Sequence, residues 1–231
     1  MPADVVPVVT LHVWGVPARA VPLAVARMAW DRPLMRRTDA RFWKLLGTGR
    51  GRTFTATDAD PRRWAVLATW DDDAAADAFE SSPTVRGWGG IAEERLAVRL
   101  RPLASRGEWS GRRPFGEPRP RRVDGPVASI TRARIRPRKT LSFHRAVPPV
   151  SHDLRQVDGV RLAVGIGEAP VGLQGTFSVW ESADALLDFA HRRNPHREVV
   201  RRTAEQDWYA EELFARFEVL DIAGTLGGHR A

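Results

Sequence analysis

Cysteine is absent from the 231 residues, which removes disulfides, thiolate nucleophiles, iron–sulfur clusters, cysteine-based zinc sites and any thiolate-held metal centre. A metal in this chain has only His, Asp, Glu or the single Tyr to bind it. Lysine is nearly absent too, at Lys44 and Lys139, so the basic side chains are almost all arginine. No run approaches the roughly 20 apolar residues of a membrane span. Met1 to Trp14 lacks the basic flank and apolar stretch of an export signal, so the expectation is a soluble, cytoplasmic protein.

What is present is ordinary globular composition, 43% hydrophobic and 28% charged, with length enough for one large or two small cores. The 36 Lys and Arg exceed the 28 Asp and Glu by 8, but unevenly. Arg101 to Arg145 holds 13 basic and 3 acidic residues, a net of +10, leaving −2 for everything else. That stretch reads either as a solvated linker and strand edge or as an electrostatic dock for an acidic partner or an anionic membrane. No nucleic-acid motif accompanies it, and no nucleic-acid partner is expected.

Val8 to Trp14 alternates as a half-buried strand, and Val21 to Trp30 suits a helix, followed by a loop rich in Arg and Gly. Trp64 to Trp70 is a second strand. Asp71 to Asp73 supplies the N-cap and first turn of a helix reaching Phe79 or Glu80, and Ser82-Pro83 opens another. Arg95 to Arg101 is a strand with one wet face. Pro102 to Pro126 loses periodicity and reads as a linker, after which the pattern restarts: strands at Ala128 to Arg136, Arg161 to Gly165 and Gly175 to Trp180, a helix to Phe189, a helix after Asn194-Pro195, and a closing strand at Leu213 to Leu220. Trp70 is followed nine residues later by Phe79, and Trp180 nine residues later by Phe189. The reading is an α+β fold of tandem ferredoxin-like repeats, forming within one chain the barrel that such units otherwise form as dimers. Residues 1–103 and 127–231 are the halves and 104–126 the linker.

Six histidines are the nitrogen donors: His12, His144, His152, His191, His196 and His229. None shows a zinc-type pairing. His196, in Asn194-Pro195-His196, falls in the first turn of a proline-initiated helix, where the macrodipole disfavours the imidazolium and keeps the ring able to bind iron. His152 is the second candidate. Each also reads simply as an exposed polar residue. Gly47-Thr-Gly-Arg-Gly51 lacks the strand-before, helix-after context of a phosphate loop and reads as a tight connection or a close backbone approach. Nine tryptophans suit an apolar pocket as well as core packing. No Ser-His-Asp arrangement or carboxylate pair supports a hydrolase.

At Phe42-Trp43-Lys44, Gly47, Gly49, Gly51 and Phe54-Thr55, the chain resembles the spheroidene monooxygenase family. The likeness continues through Val164-Gly-x-Gly-Glu168-x-Pro170, Thr176-Phe-Ser-x-Trp180, Pro195-His196 and Glu211-Glu-Leu-x-Ala-Arg-Phe217. The resemblance implies a haem enzyme that oxidises a long apolar, carotenoid-like substrate with O2. It implies His196 as metal ligand, with His152 the alternative, and a substrate pocket walled by Phe42, Trp43, Trp70, Trp180 and Trp208. His144 matches the family poorly. The partners implied are a ferredoxin-like electron donor and peripheral contact with an anionic membrane, with the basic segment as the candidate dock. A cofactor-free oxygenase on the same barrel, or a non-catalytic carrier of haem or an apolar ligand, would need the same pocket.

Overall fold

The computed structural model describes residues 6–49, 58–139, 157–168, 173–192 and 208–230. In chain order its elements are β1 (Val8–Gly15), α1 (Val21–Met35), β2 (Phe42–Gly49), β3 (Ala59–Trp70), α2 (Asp73–Glu80), α3 (Pro83–Gly89), β4 (Glu94–Gly107), β5 (Val127–Ile135), β6 (Val160–Gly167), β7 (Leu173–Trp180), α4 (Ala183–Arg192), β8 (Tyr209–Leu226) and the short β9 (His229–Arg230). The strands are antiparallel, in the order β4-β1-β3-β2-β6-β7-β5-β8, and β4 pairs again with β8. That last pairing closes an eight-stranded barrel and leaves no free edge between its halves.

The period-2 alternation visible in the sequence sorts side chains between the lumen and the outer face. Val9, Leu11 and Val13 of β1, Leu67 of β3, and Leu96, Val98 and Leu100 of β4 meet Ile130, Val164, Phe177, Ala215 and Phe217 of the second half in one core. The opposite face of β1 and β3 packs under α1, α2 and α3 around Trp14, Trp70, Phe79 and Trp88. A smaller cluster of Leu103, Val127, Trp180, Leu186 and Phe189 lies between β5, β7 and α4. The helix starts are capped as their sequences indicate: Asp72 accepts from the Ala75 N–H at 2.9 Å, Ser82 from Val85 at 3.2 Å and Ser182 from Ala185 at 3.2 Å.

The two seams use glycine differently. Between β2 and β6, Gly49 lies opposite Gly165, and a Cβ on Gly165 would stand 3.3 Å from the Gly49 Cα. The glycine run therefore serves a close approach of two strands. The segment from Phe42, read as loop in the sequence, is a strand: Phe42, Leu46 and Thr48 alternate inward, and the glycines after them obscure the pattern. At the β4–β8 seam, Gly107 (φ +89°) and Gly224 (φ +97°) each place the absent Cβ about 2 Å from a backbone carbonyl oxygen, that of Glu212 and of Arg95 respectively. Only glycine fits there.

Several bounds run further than the pattern indicates. α1 continues through Pro33 to Met35, and β8 spans Tyr209–Leu226. β4 continues to Gly107, into the stretch read as linker, and Trp109 and Phe115 beyond it are buried in the lumen core.

Candidate functional site

Pairing registers align the halves residue by residue. Trp70 lies opposite Val8 and Trp180 opposite Val127, so Ser129, Thr131 and Ala133 of β5 stand where β1 has Thr10, His12 and Trp14. On the neighbouring strand, Ser178 and Thr176 stand where β3 has Ala68 and Val66. The indole of Trp70 donates to Thr10 Oγ1 at 2.9 Å; that of Trp180 donates to Ser178 Oγ at 2.9 Å, which lies 2.9 Å from the Ser129 hydroxyl. Phe79 packs on Trp70 with ring centroids 4.9 Å apart, and Phe189 on Trp180 at 5.2 Å. The equal nine-residue spacings thus correspond to equal packing.

The two outer faces are filled differently. In the first half, His12 stacks on Trp14 and Trp14 on Trp88, each with centroids 5.5 Å apart, so aromatic side chains occupy the space between sheet and helices. In the second half, Thr131 and Ala133 stand in place of His12 and Trp14. A cleft of about 540 Å³ lies between the sheet and α4. Among the described residues its walls include Trp180, Leu186, Leu187 and Phe189 on the apolar side, and Ser129, Thr131, Thr176 and Ser178 on the sheet. Arg106 and Arg216 also border it. Arg106 pairs with Glu212 at 3.6 Å and lies over the Phe214 ring, whereas the half-buried Arg216 guanidinium has no ion-pair partner among the described residues. The volume and lining suit a large apolar ligand with an anionic substituent.

A second polar assembly closes one mouth of the barrel. Glu168, after β6, accepts from Lys44 Nζ and from the Trp109 indole, each at 2.5 Å, and pairs with Arg132 at 3.3 Å. Arg132 also pairs with Glu211, which accepts from the backbone N–H groups of Ser110 at 3.1 Å and Gly111 at 2.9 Å. Burial alone would raise the Glu211 pKa, but the hydrogen bonds from Gly111, Arg132 and Ser110 outweigh it and hold the carboxyl below its ordinary range. Lys44, Glu168 and Glu211 come from three of the sequence motifs described above, on three different strands or their ends, and here they meet.

The aromatic side chains expected to wall one pocket are distributed over separate environments. Phe42 lies in the lumen core, edge-on to Trp109. Trp43 and Trp70 pack under the first-half helices. Trp180 borders the cleft, and Trp208 is buried just before β8. His196 and His152 lie outside the described residues, as does His144. His12 is buried between Trp14 and Phe79. Burial first, then Arg95 and Arg99, lower its pKa to about 3, so its 3.3 Å approach to Glu80 joins a neutral ring and is not an ion pair. It fills the space between the Trp14 and Phe79 rings. No cluster of three or more His, Asp or Glu that could hold a metal ion occurs among the described residues. Nor is any described helix long and apolar enough to cross a membrane.

The cleft residues Ser129, Thr131, Thr176, Ser178 and Arg216 were not singled out by the sequence patterns. Their signal is there: Thr131, Thr176 and Ser178 carry hydroxyls where the matching strands of the first half carry His12, Val66 and Ala68. It is legible only once the two halves are aligned in register.

A closed antiparallel barrel with helices outside and a cleft on one outer face defines an α+β barrel protein. Among solved structures, aldoxime dehydratase superposes with a TM-score of 0.63 at 12% identity, over 96% of this chain and 84% of that one, a likeness of fold alone. The spheroidene monooxygenase of Rhodobacter capsulatus is 36% identical over 216 residues, covering 90% of this chain and 88% of the relative. That of Rubrivivax gelatinosus is 39% identical over 205 residues, covering 88% and 78%. The chain belongs to the spheroidene monooxygenase family. No protein-family model matches it.

Proposed function

We propose that this protein is a haem-dependent monooxygenase that inserts one atom of O2 into a long apolar, carotenoid-like substrate, on a barrel made of two ferredoxin-like repeats. The observation that carries the proposal is the cleft under α4, about 540 Å³ with an apolar wall of Trp180, Leu186 and Phe189, where the matching place on the other outer face holds a smaller cavity of about 370 Å³ beside Glu80, Arg95 and Arg99. Family membership supports the reaction class, since the two relatives named above are spheroidene monooxygenases. The repeat is supported by the common order of the two halves, β4-β1-β3-β2 and β8-β5-β7-β6, and by the matched glycines Gly107 and Gly224.

The cleft lining fits the cofactor in size and polarity. Trp180, Leu186 and Phe189 offer an apolar wall to a flat ring system, and Arg216 is placed for an acidic substituent. Haem, when bound, would supply O2 activation, with electrons from a ferredoxin-like donor. The residue that would hold the iron is His196, with His152 the alternative. α4, the helix immediately before Pro195-His196 in the chain, is itself a wall of the cleft. The remaining work of the protein is exclusion and orientation: Trp180, Leu186 and Phe189 keep water from an apolar substrate, and the Ser129–Ser178 hydroxyl pair, which accepts the Trp180 indole N–H, fixes that wall against the sheet.

The test is turnover with isotopically labelled O2 and a carotenoid dispersed in detergent, together with absorption spectra of His196→Ala and His152→Ala. Label in the product and loss of the haem spectrum in His196→Ala are expected. Loss in His152→Ala alone transfers the ligand role to His152. Label incorporated by a colourless, metal-free protein would instead support a cofactor-free oxygenase, and binding without turnover a carrier.

A further inference from the structure

The outer side of α1 is apolar where a surface helix is ordinarily polar. At 100° per residue, Ala24, Asp31 and Met35 share the face turned to the sheet and are buried. The opposite arc carries Pro22, Leu23, Val25, Ala29, Trp30 and Pro33, all exposed. Trp30 is 59% exposed, Val25 53% and Leu23 42%, and with Val6 they are the exposed large hydrophobic residues of the described structure. Leu23 and Trp30, seven positions apart, lie on one flank of that arc. Arg27 turns inward and pairs with Asp31 at 2.9 Å, so the exposed arc has one charge, Arg32.

The charge around this patch has one dominant sign. Between positions 19 and 39 the exposed charged residues are Arg19, Arg32, Arg36, Arg37 and Asp39, four basic against one acidic. Arg86, on α3, which packs against α1, is also exposed. An exposed tryptophan and aliphatic side chains rimmed by arginine form the pattern of a helix that lies in a membrane interface, where the indole sits at headgroup level and guanidinium groups meet phosphate. Two copies of this face brought together would oppose arginine to arginine, which disfavours self-association through it.

We propose that α1 is a membrane-docking helix: it lies in the surface of an anionic bilayer, with Leu23, Val25 and Trp30 in the headgroup–acyl boundary and Arg19, Arg32, Arg36 and Arg37 on lipid phosphates. This surface is distinct from the basic stretch of Arg101 to Arg145, and its assignment does not depend on the oxygenase reading. α1 covers the sheet of the first half, whereas the cleft opens under α4 on the second, so docking leaves the cleft uncovered.

Co-sedimentation of the full chain with vesicles of phosphatidylcholine, with and without phosphatidylglycerol, tests this directly. Binding is expected to the anionic vesicles and to fall with added salt. Trp30→Ala should lower the partition coefficient about tenfold, and Arg36→Gln with Arg37→Gln about thirtyfold at low salt. Trp30→Phe should keep binding but lose most of the tryptophan quenching by brominated lipid that the unaltered protein shows, a readout that does not depend on a destabilised variant. The proposal is overturned by absence of vesicle binding, by equal binding to neutral and anionic vesicles, or by binding that none of these substitutions changes. A dimer dissociated by Trp30→Ala in light scattering would assign the face to a second copy instead. Turnover on detergent-dispersed substrate should be unchanged in all three variants, which separates loss of docking from failure of the oxygenase reading.

Discussion

His12 shows what burial does to a single titratable group. Its ring is enclosed by Trp14 and Phe79, and neither nitrogen has a hydrogen-bond partner. The folded-state pKa of about 3 lies below the ordinary 6.5. The unfolded chain therefore takes up a proton as pH falls through 6.5 while the folded chain does not. The resulting stability is fully present above pH 6.5 and is lost progressively as pH falls toward 3, on the order of 4 kcal/mol across that window. His12→Phe keeps the stacking and removes the titration. Urea midpoints measured from pH 7 to 4 should fall less steeply for the variant than for the unaltered protein; parallel curves would show that His12 is protonated in the folded state. In sequence, His12 reads as one of six donors, and only the packing shows that it serves the core. The pattern does place it on the outer face of β1, because Val9, Leu11 and Val13 claim the lumen.

At the scale of elements, the barrel-mouth network ties β2, β5, β6 and β8 together through side chains. Arg132 is the hub: its side chain is 5% exposed, it pairs with Glu168 and Glu211, and it lies over the Trp109 ring at 5.2 Å. Arg132→Met leaves two carboxylates without their shared cation, and the expected cost is about 3 kcal/mol, read as a lowered urea midpoint with unchanged slope. A change within experimental error would mean that Lys44 and the Ser110 and Gly111 amides suffice. The elements themselves were largely legible. β1, β3, β4, β7, α2 and α4 follow from alternation, capping and helical spacing. β2 was not, because glycines at 47 and 49 mimic a loop, and their reason, the approach of Gly165 across the seam, is a long-range pairing that local pattern does not carry. The mouth network was hidden for the same reason. Lys44, Glu168 and Glu211 are far apart in sequence, and Arg132 reads as one of many arginines in a basic run.

For the whole molecule, the two halves depend on each other. Val9, Leu11, Leu67, Leu96 and Val98 form a sheet face that the second half covers, and both β2 and β4 lose a pairing partner if the second half is removed. A fragment of residues 1–107 is expected to self-associate or to unfold without cooperativity, as size exclusion and urea titration would show. A folded, cooperative monomer would contradict interdependence of the halves. Aligning the strand registers of the two halves shows how the outer faces differ, since Trp14, Trp88 and His12 pack one and leave a cavity of about 370 Å³ beside Thr10, whereas the other holds the larger cleft of about 540 Å³. Thr131, which is exposed on the cleft floor, aligns with His12. Thr131→Trp should fill that space at little cost in stability.

The most direct measurement is a haem titration followed by absorption spectroscopy, on the unaltered protein and on Thr131→Trp. The expected result is a Soret band that saturates near one haem per chain and shifts on reduction, with Thr131→Trp folded but unable to take up the cofactor. A colourless unaltered protein that takes up no haem, or a Thr131→Trp protein that binds it as well as the unaltered chain, would contradict a haem site in the cleft beneath α4.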